Sequence, residues 1–292
     1  MTTLTSEFLN ALATVVDAGA VRAGNVTETL DPGFDKANLD ADVVVFPKST
    51  EQVSATVRLC SEHGVALVPQ GGRTGLAGGA RSQTGQVVID MTRMNQMLDL
   101  DSQGGTALVE AGVVLSAVQA AAGEHGLSTG IDLAARDSAT IGGMISTNAG
   151  GIEAFRYGTT RHRVLGMEVV LADGTVLSDL KRVVKANEGY DLKQLLIGAE
   201  GTLGVVTSAV LALVPEELRA WHAGAGGWRG EDDCNAASIG IEIVNPGHEF
   251  GYRLFPEAQI AAVIALIGDI RDRWTIPDNR IIARSDLAPA RK

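Results

Sequence analysis

The stretch Val65-Ala66-Leu67-Val68-Pro69-Gln70-Gly71-Gly72-Arg73-Thr74-Gly75-Leu76-Ala77-Gly78-Gly79-Ala80 constrains this chain more than any other. Its opening apolar run reads as a buried strand. Pro69 is expected to close that strand, because proline brings no amide hydrogen to a sheet ladder. The glycines that follow carry no Cβ, so the backbone can turn sharply and bring its amides close to a ligand. Successive N–H groups in such a turn form a concavity for anions, and Arg73 adds a planar cationic fork. The chemistry that suits this is a diphosphate. No Gly-Lys-Ser/Thr follows, so the loop is not a P-loop. The Gly-Gly-x-x-Gly spacing and the poor helix start at Leu76-Ala77-Gly78-Gly79 also depart from the dinucleotide fingerprint. Without a helix dipole, phosphates would have to be held by the loop's own amides. Taken alone, the loop fits an ordinary surface turn equally well.

The 292 residues suffice for one large domain or two ordinary ones, and 45% hydrophobic with 20% charged residues is a normal globular composition. A formal net charge of −11 argues against nucleic acid and anionic membrane as partners. Cys60 and Cys234 lie far apart and suggest neither a disulfide framework nor a metal cluster. The N-terminal segment lacks a basic region, and Asn10 and Asp17 interrupt its apolar run. Neither a signal peptide nor a membrane span is expected, and a reducing, cytoplasmic location is the default.

Residues 4–18 carry Phe8, Leu9, Leu12, Val15 and Val16 at helical spacing, and Gly24 to Asp40 reads as irregular. Val43 to Phe46 is a strand stopped by Pro47. Ser49-Thr50-Glu51-Gln52 fits a capping box for a helix with Val53, Val57 and Cys60 on one face and Gly64 at its end. Strands are predicted over Gln86–Asp90, Thr106–Glu110, Gly166–Leu171, Thr175–Leu177 and Leu203–Val214, with a hairpin turn at Asp173-Gly174 and a helix over Leu115–Glu124. The pattern is α+β with short mixed strands. Two further glycine-rich segments, Ser138–Gly151 and Gly198–Gly204, lie between these elements. Three such loops point to backbone approaching a large flat ligand from several sides.

These segments, with Arg156-Tyr157-Gly158 and Gly189-Tyr190-Asp191-Leu192, resemble the FAD-linked oxidases of the vanillyl-alcohol oxidase (PCMH) type. The branch most similar contains the glycolate oxidase FAD subunit and the D-lactate and D-2-hydroxyglutarate dehydrogenases. The resemblance runs from about Asp42 to Pro215 in consistent order. It implies an FAD-binding domain with two α/β subdomains, and a 2-hydroxy acid as substrate of the parent family. Pro69, Gln70, Gly71, Gly72, Arg73, Thr74, Gly75 and Leu76 would hold the pyrophosphate. Ser138, Gly142, Gly143 and Asn148 would line the flavin and ribityl side, and Gly201 and Val206 the other flank. The family carries glycine before the serine at 138, and this chain has Asp137, a carboxylate that would repel a nearby diphosphate. The 70–76 loop contains no histidine, so the resemblance implies non-covalent FAD there.

From Leu218 to Lys292 the chain instead resembles the zinc-dependent N-acetylmuramoyl-L-alanine amidases of the amidase-2 class. The segments are Leu218–Gly224, Trp228-Arg229-Gly230, Ser238–Gly247, Phe255–Gln259 and Ser285–Lys292. A helix is predicted over Pro256–Arg273 with Ile260, Val263, Ile264 and Ile267 on one face. A hydrolytic zinc needs three protein ligands and an open position for water. By this resemblance one ligand would lie upstream of Trp221 in flavoprotein-like sequence, another falls on Arg284, and the third would follow Lys292. Glu242 matches the catalytic glutamate and Lys292 a site lysine, but no metal would serve them. His222 and His248 lack ligand spacing, and surface or packing roles are expected for both.

The sequence therefore predicts a lead-in over 1–41, an FAD-binding domain over 42–217 and a partial, small α/β amidase-like segment over 218–292. The expected function is FAD binding related to 2-hydroxy-acid oxidoreduction, with catalysis impaired for want of a substrate domain. The alternatives are an amidase-like protein without its zinc ligands and a non-enzymatic fusion fragment.

Overall fold

A computed structural model describes residues 4–24, 28–185, 187, 189–215, 241, 243 and 254–281. By its internal contacts the chain divides into two compact units, Met1–Glu217 and Leu218–Lys292.

The first unit opens with helix α1 (Ser6–Val16), whose N-cap Thr5 accepts from the Phe8 amide and whose Phe8, Leu12 and Val16 are buried. It packs on helix α2 (Thr50–Glu62), and Phe8 meets His63 edge to face at 5.2 Å. Ser49 caps α2 by accepting from the Gln52 amide, and Gln52 Oε1 reaches back to the Lys48 amide at 2.9 Å. The predicted box thus closes one residue earlier than expected. Val53, Val57 and Cys60 form the buried face, and Gly64 follows in the left-handed region at φ +63°.

Strands β1 (Val21–Ala23), β2 (Val43–Val45), β3 (Leu67–Gln70) and β4 (Val87–Asp90) form a sheet in the order β1-β2-β4-β3. β2 and β3 both run parallel to β4, and β1 runs antiparallel to β2. Pro69 does not close β3 but lies inside it, opposite Ile89. β3 is an edge strand, where a missing amide hydrogen need not break a ladder. The Gln70–Asp90 pair ends this ladder, and the glycine-rich loop leaves from it.

A second sheet is antiparallel throughout: β5 (Met97–Asp101), β6 (Thr106–Glu110), β8 (Val164–Val170), β9 (Val176–Asp179) and β10 (Val205–Ala212), in the order β5-β6-β10-β8-β9. Helix α3 (Leu115–Gly123) buries Leu115, Val118 and Ala122. A two-residue strand β7 (Leu127–Ser128) pairs with β11 (Val214–Pro215). Helices α4 (Ile141–Thr147), α5 (Ala154–Tyr157) and α6 (Lys193–Leu196) fill the connections. One continuous core joins Val45 and Ile89 of the first sheet with Val109 and Ala209 of the second. The architecture is the α+β fold with two α/β parts that the sequence predicts.

In the second unit, helix α7 (Glu257–Arg273) matches the predicted helix within one residue. Its more buried side is Val263, Ile267 and Ile270, while Ile260, Ile264 and Leu266 are exposed. The covered face is therefore rotated from the predicted stripe. The assignments at Trp221, His222, Glu242, His248, Arg284 and Lys292 lie outside the described residues, as does most of the segment Ser238–Gly247. Ile241 and Ile243 are exposed.

Candidate functional site

The three glycine-rich segments meet around one cleft of about 620 Å³ in the first unit, within the size range of small-molecule sites. Residues 71–80 leave the end of β3 and wrap one side. Among the described residues, none accepts a hydrogen bond from the backbone amides of Gly72 to Ala80. These amides are left for water or a ligand to satisfy, and a run of them in a turn suits an anion.

The second segment contains a helix where the sequence reads only as small residues. Thr140 caps α4 by accepting from the Gly143 amide. The Ile141 and Gly142 amides donate to the carbonyls of Val113 and Ala111 at 2.8 Å each. The start of α4 therefore offers few free amides, and the anion-binding capacity lies in residues 72–80. Asn148 ends α4 in the left-handed region at φ +50°, and its Oδ1 accepts from the Arg161 amide at 3.0 Å. The third segment straps onto α4: the Gly198 amide donates to Ile145 at 3.0 Å and the Glu200 amide to Ser146 at 2.8 Å.

Several glycines serve contact between these loops as much as approach to a ligand. A Cβ on Gly71 would run into Thr140, one on Gly72 into the Ser138 carbonyl, one on Gly79 into the Glu200 carboxylate and one on Gly201 into Pro69. Gly75 differs, with open space where its Cβ would sit.

Pro69, Gln70, Gly71, Gly72, Arg73, Thr74, Gly75, Leu76, Gly142, Gly143, Asn148, Gly201 and Val206 all line the cleft. Ser138 does not; it lines a neighbouring cleft of about 310 Å³ with Thr92, Asn95 and Thr140. Asp137 is exposed and lines neither cleft. The Arg73 fork is not free for a phosphate. Its Nη2 pairs with Asp90, its Nε donates to Gln70 Oε1 at 2.7 Å and its Nη1 to the Asp31 carbonyl at 3.3 Å.

Met91, Ala111, Leu133, Glu200 and Gly204 also line the cleft without having been singled out from sequence. Glu200 lies within the Gly198–Gly204 motif and was legible there. Arg73 and Glu200 are the charged residues of the lining. No His, Cys or Tyr is among the described residues that line it.

Residues 41–179 match the model of the FAD binding domain. Residues 171–292 match that of N-acetylmuramoyl-L-alanine amidase. The second match reaches back further than the Leu218 start read from the sequence, and its residues 171–215 contribute β9 and β10 to the second sheet of the first unit. The D-2-hydroxyglutarate dehydrogenase of Stutzerimonas stutzeri is 49% identical over 170 residues, covering 58% of this chain and 37% of that protein. The mitochondrial D-2-hydroxyglutarate dehydrogenase of Bos taurus is 44% identical over 174 residues, covering 60% and 32%. Among solved structures, an alkyldihydroxyacetonephosphate synthase superposes with a TM-score of 0.63 at 25% identity, covering 72% of this chain and 40% of that one. Residues 41–179 thus resemble FAD binding domains and these dehydrogenases, the sequence after them resembles an amidase, and the chain spans about a third of the length of the dehydrogenases it matches. Among the described residues no helix is long and apolar enough to cross a membrane, and no group of three His, Cys, Asp or Glu is placed to hold a metal ion.

Proposed function

We propose that residues 42–217 bind FAD non-covalently, with the diphosphate on the 72–80 amides and the remainder of the cofactor along the Gly142–Asn148 and Gly201–Val206 walls. The observation that carries this reading is the run of unpaired amides in a loop that lines a cleft built from three glycine-rich segments. The absence of His, Cys and Tyr from the described lining supports non-covalent attachment, since these side chains supply common nucleophiles. Bound FAD would supply two-electron redox chemistry, while the protein binds and orients it. The parent reaction class is oxidation of a 2-hydroxy acid, following the dehydrogenases that the chain is similar to. The matched region spans 37% of the first of these, so cofactor binding, rather than full turnover, is the property assigned to this module.

Purified full-length protein is expected to show flavin absorbance that acid precipitation releases. A colourless protein that also binds no added FAD in titration would sink this reading. If such a protein held about one zinc per chain through dialysis, the amidase reading would take its place.

A further inference from the structure

Asp90 lies at the end of β4 with its side chain 1% exposed, outside the cleft lining. It nevertheless reaches the glycine-rich loop through Arg73. One carboxylate oxygen accepts from the Thr92 amide at 2.9 Å and from the Thr92 hydroxyl, which fixes its orientation. The other pairs with Arg73 Nη2. Arg73 passes the connection on through Nε to Gln70 Oε1 at 2.7 Å. Gln70 Nε2 then donates to the Ala80 carbonyl at 2.7 Å and to the Asn38 carbonyl at 2.6 Å. The hydrogen bonds thus tie the first residue before the loop to the last residue in it, with Arg73 anchored between them. Arg73 itself stands in the left-handed region at φ +52°, where a non-glycine residue needs its surroundings to hold it. Its carbonyl accepts from the Phe34 amide at 3.1 Å.

The geometry points to Asp90 as a positioning residue for the dinucleotide, one that sets the charge as well as the shape of the phosphate loop. The inference rests on the FAD reading above. Arg73 is the cation of the cleft lining, and its charge is balanced inside the protein by Asp90. The other charged lining residue, Glu200, is an anion. The diphosphate would therefore be held by neutral amide dipoles and not by a free cation. Attraction between exposed charges weakens as salt shortens the screening length, whereas short-range amide hydrogen bonds respond little. Affinity for FAD should then be nearly independent of ionic strength, and it should become salt-dependent once Asp90 no longer balances Arg73.

FAD dissociation constants of the full chain, from flavin fluorescence at about 50 mM and about 500 mM KCl, test this. Wild type is expected to change by less than about twofold, or to tighten slightly because Glu200 is screened. Asp90→Asn, which leaves the Arg73 cation unbalanced, is expected to weaken by about fivefold or more across the same range. The double variant Arg73→Gln with Asp90→Asn removes both charges and should return to a flat profile. A purely structural role for Asp90 would alter thermal stability without altering the salt slope. The inference is overturned by a steep loss of affinity with salt in wild type, or by an Asp90→Asn profile as flat as wild type. If Asp90→Asn does not fold, a steep wild-type profile or a salt-dependent double variant overturns it in the same way. Wild type that binds no flavin at either salt concentration overturns the FAD reading itself, an outcome distinct from flavin binding with the wrong salt slope.

Discussion

The carbonyl oxygen of Ser138 occupies the space that a Cβ on Gly72 would need, so the two glycine-rich segments can touch only while residue 72 is glycine. Gly75, three residues along the same loop, has nothing in that position. The pair separates loop packing from ligand approach. Gly72→Val should push the segments apart, destabilising the fold by roughly 1–3 kcal/mol as an overpacked site does and abolishing flavin binding. Gly75→Ala should leave the melting temperature unchanged yet weaken FAD by roughly tenfold, about 1.4 kcal/mol, if its amide approaches the cofactor. Thermal melts paired with FAD titrations read both effects. Unchanged FAD affinity in a folded Gly75→Ala protein would remove residue 75 from the binding surface.

Burial pushes the Cys60 thiol up to about 12. At pH 8 only about one thiol in ten thousand would then be thiolate, the reactive form. Iodoacetamide is expected to leave Cys60 unmodified in the native protein and to label it after denaturation. Peptide mapping by mass spectrometry distinguishes it from Cys234. Rapid native labelling at Cys60 would contradict its place on the covered face of α2.

Much of this fold was legible where periodicity and capping agreed. The Ser49 cap, the buried Val53-Val57-Cys60 face and the strand Thr106–Glu110 follow directly from residue type and spacing. α4 was hidden because Gly142 and Gly143 have poor helix propensity. Tertiary contact overrides that: Gly142 lies so close to Ala111 that a Cβ would not fit. β5 was missed because it is an edge strand with Leu98 exposed, so its alternation does not sort polar from apolar residues. At the site, the glycines were readable but the state of Arg73 was not. Its pairing with Asp90 depends on the parallel register that sets Gln70 opposite Asp90, a long-range fact that local sequence does not carry.

Glu153 supplies a pH-dependent contribution of known sign. Desolvation by burial, then the nearby charge of Asp132, raise its pKa, while Arg156 and Arg136 oppose the shift. In the unfolded chain Glu153 loses its proton at the ordinary carboxylate value, whereas the fold holds it to higher pH. The favourable contribution is therefore complete below the unfolded value and is lost as pH rises through the folded one. Glu153→Gln, which cannot ionise, should melt higher than wild type at pH 7 and converge with it near pH 4. The gain should stay under about 2 °C, because the side chain is only partly buried and solvent screens it. A variant that melts lower than wild type at pH 7 would show that the ionised carboxylate stabilises the fold.

The division of the chain into Met1–Glu217 and Leu218–Lys292 carries a prediction for proteolysis. The first unit owns a continuous core drawn from both sheets, and β10 and β11 bring the chain to Pro215 with that core complete. The second unit spans about 75 residues, a size at which a single core gives little stability of its own. Its helix α7 buries Ile270 but leaves Ile260, Ile264 and Leu266 exposed, so its apolar side is covered only in part. Across the boundary the sequence runs through Glu216–Ala220, and early in the second unit comes the glycine-rich, acidic Gly224–Asp233, a composition that proteases cut readily when it is accessible. Trypsin or subtilisin at low ratio is expected to cleave in one of these two stretches, at Arg219 or Arg229 for trypsin. The product should be an N-terminal fragment ending near residue 217–230 that keeps its flavin through gel filtration. Intact mass and N-terminal sequencing of the fragments locate the cut. Early cleavage within 42–214, with the C-terminal segment left whole, would mean that the stable unit of this chain is not the FAD-binding one.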